Sequence, residues 1–363
     1  MDTKNTISTI LHCLIGIFLL IPVIQAQESE NETIDTMIAA TSLPEQSPSL
    51  EYPRGMARLG QEGWVEISFM VNTQGKVYEP TIVDFSGENA FIEKAEEHLL
   101  ARTFRPALFN GEPVDSSGSI RYRFEMEQAT SSASEQFFRR YKFFSSALNK
   151  KNFEESKKYL DRLDKGGAKN LYEDAFLNLA HFHYHLETGS NDNIKVFYLK
   201  RAVDGDSQEK YLPENVYQAG IISLFQLQVG TRDYQGALET YDRILELQDN
   251  EELVAKLEST IQAIKEMKSD QSAYSLTGAL NTFGHWELPL LKPSFSLDEI
   301  DGKLEEIKLR CERKYVFFAF IQEQQYLIPK SYGECDIELI GDPETSFTLI
   351  QSASIETETT TDK

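Results

Sequence analysis

The apolar residues change their spacing twice along this chain, and no other feature constrains the fold as strongly. Trp64-Val65-Glu66-Ile67-Ser68-Phe69-Met70-Val71 alternates with the period of two of a half-buried strand. From Phe137 to Met267 the apolar residues recur at the 3.6 period of helices, and from Lys303 to Ile350 the period returns to two. A sequence patterned for one period does not settle in the other, so three folded parts are expected. The 363 residues accommodate two or three domains of ordinary size. The reading is an α+β multidomain chain: an antiparallel β-sheet with a helix, an all-α stretch of helical hairpins, and a small antiparallel β domain.

In the first part, over residues 50–127, the strand Trp64–Val71 runs through the turn Asn72-Thr73-Gln74-Gly75 into a second strand, Lys76–Phe85. Phe91, Ile92, Ala95, Leu99 and Leu100 then give a helix over Asn89–Thr103, with Ser86 or Asn89 as cap. Ser119-Ile120-Arg121-Tyr122-Arg123-Phe124-Glu125-Met126 alternates again, placing Arg121 and Arg123 on one face and Tyr122 and Phe124 on the other. A sheet of this size, covered on one face by a helix, ends in an edge that a partner peptide can extend.

The first residues set the compartment. Ile10–Ile24 is an apolar run interrupted by His12, Gly16 and Pro22, and it ends in Gln25-Ala26 before the acidic Gln27-Glu28-Ser29-Glu30. This is the pattern of a secretory signal (residues 1–26) cut between Ala26 and Gln27. The alternative is an uncleaved inner-membrane anchor, since Ile7–Ala26 is long enough to span a bilayer. Either way the remainder faces an oxidising space. The chain has three cysteines; Cys13 leaves with a cleaved signal, and an intramolecular Cys311–Cys335 disulfide is expected. Residues 27–49, with five acids and no base, read as a disordered acidic linker, and residues 352–363 as a frayed tail.

Tyr52-Pro53, Ala57, Gly60, Glu62-Gly63-Trp64-Val65, Phe69, Val71, Gly75, Val77, Ser86, Arg102-Thr103-Phe104-Arg105-Pro106 and Gly111, Pro113, Val114 form a spaced pattern that resembles the TonB C-terminal domain. That resemblance implies a periplasmic module which couples to outer-membrane receptors by accepting a short receptor segment along its last strand. On this chain the strand is Ile120, Arg121, Tyr122, Arg123, Phe124 and Glu125. The implied partners are an outer-membrane TonB-dependent receptor or another envelope protein, and inner-membrane motor proteins if the chain stays anchored. The architecture departs from the family, because the spacer is short and more than 230 residues follow the domain. Ser8 and His12 have the spacing of the family's anchor pair and read as a chance match.

Across residues 134–270 the second helices begin near Phe153, Ile194 and Tyr234, and Glu251–Met267 closes the series. The arrangement resembles degenerate tetratricopeptide repeats with a capping helix. His181 and His185 share a helix face, but no third ligand accompanies them, so they read as packing side chains and no metal site is expected. No phosphate loop, nucleophile elbow or Cys/His pair is present, so neither an enzyme nor a cofactor is expected. Residues 286–351 read as a β domain small enough to profit from the disulfide.

The formal charge of -22 argues against nucleic acid, and the acidity is distributed over every exported segment. No small-molecule substrate is indicated. The function read from sequence is a periplasmic protein that binds partners by strand addition in support of TonB-dependent transport. The alternative is a cell-envelope scaffold whose helical repeats hold the partner.

Overall fold

A computed structural model describes residues 37–42, 48–126, 132–203, 211–247, 250–281 and 284–353. The signal segment, its Ala26/Gln27 cleavage point, most of the acidic linker and the end of the tail lie outside the described residues.

Part of the segment read as a disordered linker is paired. Strands β1 (Met37–Ile38) and β2 (Thr41–Ser42) lie antiparallel to chain that follows the domain's long helix. After the short helix α1 (Arg54–Leu59) come β3 (Gly63–Val71), β4 (Val77–Ser86) and the helix α2 (Asn89–Ala101). Then β5 (Phe104–Arg105) pairs with β2, β6 (Ala107–Phe109) pairs with β1 and with β7 (Glu112–Val114), and the chain enters β8 (Ser116–Phe124). The main sheet has the order β4-β3-β8, all antiparallel. Gly75 turns the β3–β4 hairpin at φ 76°, and a Cβ there would lie 1.9 Å from the Phe104 carbonyl oxygen, so only glycine fits. On the inner face Val65, Ile67, Phe69, Tyr122 and Phe124 pack on Phe91, Ala95 and Leu99 of α2.

The helical part runs α3 (Glu135–Asn149), α4 (Phe153–Gly166), α5 (Leu171–Glu187), α6 (Asp192–Val203), α7 (Glu214–Gly230), α8 (Tyr234–Leu245) and α9 (Glu251–Ser269). Its three hairpin turns are built alike. After α3, α5 and α7 a residue in the left-handed region (Lys151, Gly189, Arg232) is followed by an amide that reaches back five residues: Asn152 to Ala147, Ser190 to His185, Asp233 to Gln228. At the first and third turns that following residue also caps the next helix. Asn152 Oδ1 accepts from Glu155 N, and Asp233 Oδ1 from Gly236 N.

Among the described residues eight strands follow: β9 (Tyr274–Ala279), β10 (His285–Pro289), β11 (Ser294–Asp301), β12 (Leu304–Cys311), β13 (Lys314–Ala319), β14 (Gln325–Leu327), β15 (Cys335–Gly341) and β16 (Ser346–Ser352). They form two four-stranded sheets, β10-β15-β12-β13 and β14-β11-β16-β9, which share one core around Phe295, Ile307, Ile337 and Phe347. This part is therefore larger than the sequence implied, beginning at Tyr274. Cys311 and Cys335 are disulfide-bonded and stand directly opposite each other on β12 and β15. Thr36–Lys363 makes one compact unit.

Within the sandwich, Glu287 on β10 faces Glu338 on β15. Burial, then the charges of Glu338 and Asp336, push the Glu287 carboxyl up to about 8. The folded chain thus keeps a proton that the unfolded chain releases above its ordinary pKa of 4.5. Stability contributed here is full below about pH 4.5 and falls as pH rises toward 8. Glu287→Gln is expected to stabilise the protein by about 1 kcal/mol or more at pH 8, with the gain vanishing near pH 4.5. Thermal melts of both proteins across that interval measure it, and a gain independent of pH would contradict the assignment.

Candidate partner-strand site

Among the described residues β8 forms a strand ladder with β3 on one side and makes one edge of its sheet. The register sets Tyr122 against Val65 and Arg121 against Glu66. Ile120, Tyr122 and Phe124 point into the core; Tyr122 is 5% exposed and Phe124 1%. Tyr122 stands edge-on to His98 at 5.1 Å, and Phe124 lies between Phe91 and Tyr52. Burial raises the Tyr122 phenol above its ordinary pKa, with Arg102 opposing. Glu125, just past the strand, is exposed and accepts a hydrogen bond from the Tyr211 hydroxyl.

The opposite row does not face water. Arg121 donates to Glu66 at 2.5 Å and lies 4.0 Å over the Trp64 ring. From α6, Arg201 covers the same ring at 5.2 Å, pairs with Asp84 and donates to the Phe85 carbonyl. From α5, Asp174 accepts from Trp64 Nε1 at 3.0 Å and from the Ser86 hydroxyl at 2.7 Å. Arg123, Arg121, Arg201 and Tyr211 line a small cavity left at this junction. Glu62 ties the backbones together, accepting from Leu171 N and Met126 N while its own amide donates to the Lys169 carbonyl. The charged row predicted from alternation is therefore the seat of the helical hairpins. One signal of this was present: the row reads Trp64, Glu66, Ser68, Met70, too apolar at its ends for a solvated face.

The far end of the same face carries β12. Arg310, buried among β12, β15 and β4, donates from Nε to Glu338 Oε1 at 3.1 Å, from Nη1 to the Glu79 carbonyl at 3.0 Å and from Nη2 to the Thr81 hydroxyl at 3.0 Å. Two residues on, the Glu312 carbonyl accepts from Ser117 N at 3.2 Å. β12 thus meets both edges of the sheet. At β4, Glu79 has φ 47° and precedes Pro80, and the register shifts nearby; a proline and irregular pairing are what keep that edge from extending. At β8 Glu312 takes the amide of Ser117, the residue in register with Met70 near the start of the strand. Since amides on an edge strand point outward at every second residue, the Ser119 amide points the same way as Ser117, and Ser119 is exposed.

Residues 48–126 match the family described as Gram-negative bacterial TonB protein C-terminal. The chain carries a TonB-family domain. Among solved structures, the solution NMR structure of the Pseudomonas aeruginosa TonB C-terminal domain matches at 19% identity, covering 25% of this chain and 90% of that one, with a TM-score of 0.23. No curated protein matches the chain. A TonB-family domain marks an envelope protein, and among the described residues no helix is long and apolar enough to cross a membrane. The described residues also hold no cluster of three or more ligands suited to a metal. His181 is bonded to Asp164 at 2.7 Å and stacked on Tyr198, and His185 to Ser190 at 2.9 Å.

Arg310→Leu removes the partner of buried Glu338 and the tie to β4, and is expected to destabilise the protein by about 3–5 kcal/mol. Arg310→Leu with Glu338→Leu should recover most of that loss. Chemical denaturation of the two variants and the wild type measures the difference; equal losses in both would refute the pairing.

Proposed function

We propose that this protein is an exported, non-enzymatic adaptor of the cell envelope. Its TonB-family domain binds an extended segment of an envelope partner by adding it as a strand to β8. The observation that carries this reading is the edge itself: among the described residues β8 has a ladder on its β3 side, its other side meets Glu312 at Ser117, and Ser119 in its middle is exposed. Main-chain hydrogen bonds supply affinity in such a contact, so buried side chains along β8 do not prevent it. The Arg121 and Tyr122 side chains face the hairpins and the core, so selectivity falls to the rim, where Ser119, Glu125 and the β12–β13 turn flank the edge. The Glu312 contact at Ser117 confines an added strand to the stretch from Gly118 to Phe124. An outer-membrane receptor is the partner class that fits, and the role is support of TonB-dependent transport. If Ile7–Ala26 remains as an anchor, inner-membrane motor proteins join the partner list.

Ser119→Pro removes one outward amide without touching the ladder to β3. Labelled peptides from the periplasm-facing termini of outer-membrane receptors of the source organism, titrated by fluorescence anisotropy, should bind the wild type and bind Ser119→Pro at least about tenfold more weakly. Circular dichroism should show the same fold in both. Failure of every peptide to bind, or equal binding to both proteins, would refute strand addition at this edge.

A further inference from the structure

The first helical hairpin reverses the charge of the chain. Residues 135–166 hold nine Lys and Arg against five Asp and Glu, in a protein of net charge -22. The even distribution of acidity read from sequence thus conceals one basic element. Arg139, Lys142, Lys150, Lys151, Lys158 and Arg162 are all exposed, and among the described residues none of them is paired with a carboxylate. Glu154 and Glu155 sit in the first turn of α4, where the helix dipole holds them; they dilute the local charge without reversing it.

Phenylalanines accompany these cations. Phe143 is 52% exposed and Phe153 36%, on either side of the Lys150-Lys151-Asn152 turn, and Phe138 is 38% exposed beneath the Lys142 ammonium. Phe143 stacks on Tyr159, whose ring is covered by the Arg162 guanidinium. The groove beside α4, lined by Phe153, Lys158, Arg162, Lys165 and Tyr184 with Glu154 and the Lys157–Asp161 pair among them, is shallow and open.

We propose that this hairpin rests on an anionic lipid surface, with the turn between α3 and α4 as its leading point. Long, flexible, exposed cations suit a diffuse plane of headgroups. A peptide carboxylate, by contrast, would be fixed by an enclosed pocket, and none is built here. The Phe143 and Phe153 rings have no polar atom to satisfy, so they enter the boundary between headgroups and acyl chains while lysines reach back to phosphate. Each cation adds attraction that decays within a Debye length, so the sum is strong only at contact and weakens with salt. The rest of the chain is more acidic still and is repelled by such a surface, which fixes the orientation.

The test uses the chain from Gln27, which contains the whole compact unit and lacks the apolar segment that would itself bind lipid. Vesicle flotation compares phosphatidylglycerol-containing vesicles with pure phosphatidylcholine. The wild type is expected to partition onto the anionic vesicles alone, with binding reduced at high salt. Lys150→Glu/Lys151→Glu/Lys158→Glu should lower the partition coefficient at least about tenfold, and Phe143→Ser should lower it less, while thermal melts stay near wild type. Equal binding to both vesicle types, or an unchanged triple variant, would overturn the proposal. So would binding of polyglutamate, and not of vesicles, with the same loss in the triple variant, which would assign the surface to an acidic polypeptide.

Discussion

The second face of the three-stranded sheet decides how the rest of this protein is arranged. A sheet covered by one helix normally leaves its other face to water. Here that face carries Trp64, Ser68 and Met70, all buried, with Glu66 paired to Arg121 among them. An indole and a thioether that would cost several kcal/mol to leave exposed demand a cover. Two covers meet there: α5 and α6 at the Trp64 end, β12 at the Met70 end. Each is pinned by an arginine that satisfies a backbone carbonyl of the sheet as well as a carboxylate, Arg201 at Phe85 and Arg310 at Glu79. The TonB-family domain is thereby built into a larger body.

This arrangement divides the labour between the two edges. β4 is irregular, interrupted by Pro80 and held by Arg310, so it cannot template another strand. β8 gives one amide to Glu312 and keeps Ser119 at the surface. A domain whose faces are both covered has only its edge left for recognition, and a contact made through main-chain atoms is the kind that survives when the side chains are committed to packing.

Much of the fold was legible in the sequence because periodicity reports burial on one face. The helices of the hairpins and the strands β3, β8, β12 and β15 follow from it directly, and the Cys311–Cys335 bond follows from compartment chemistry. What was not legible depends on contacts between distant parts. Asp174 and Trp64, or Arg310 and Thr81, are separated by more than a hundred residues, and nothing in the spacing of either marks its partner. Strands β9, β10 and β11 were missed because Gly278, Pro289 and Pro293 lie within or between them, where a sequence reading places turns. The pairing of Met37–Ser42 was hidden by an acidic, proline-flanked context that resembles a linker. For the candidate site, alternation correctly separated Tyr122 and Phe124 from Arg121 and Arg123. Alternation names two faces, however, and cannot say that both are covered.

The buried carboxylates are met in two ways across the junction. Arg121 answers Glu66, Arg201 answers Asp84 and Arg310 answers Glu338, while Asp174 and Glu62 are met by neutral N–H and O–H donors. Such pairing offsets the desolvation of charges that a dry interface would otherwise reject. Past Arg310 the supply ends. Glu287 and Asp336 lie beside Glu338, with Lys200 and Arg310 too few to answer all three, and their carboxyls rise to about 8 and about 6. The excess is relieved by a proton instead of an arginine. At Glu287 neither a cation nor a set of neutral donors answers the carboxyl, and burial beside Glu338 and Asp336 is borne by holding the proton.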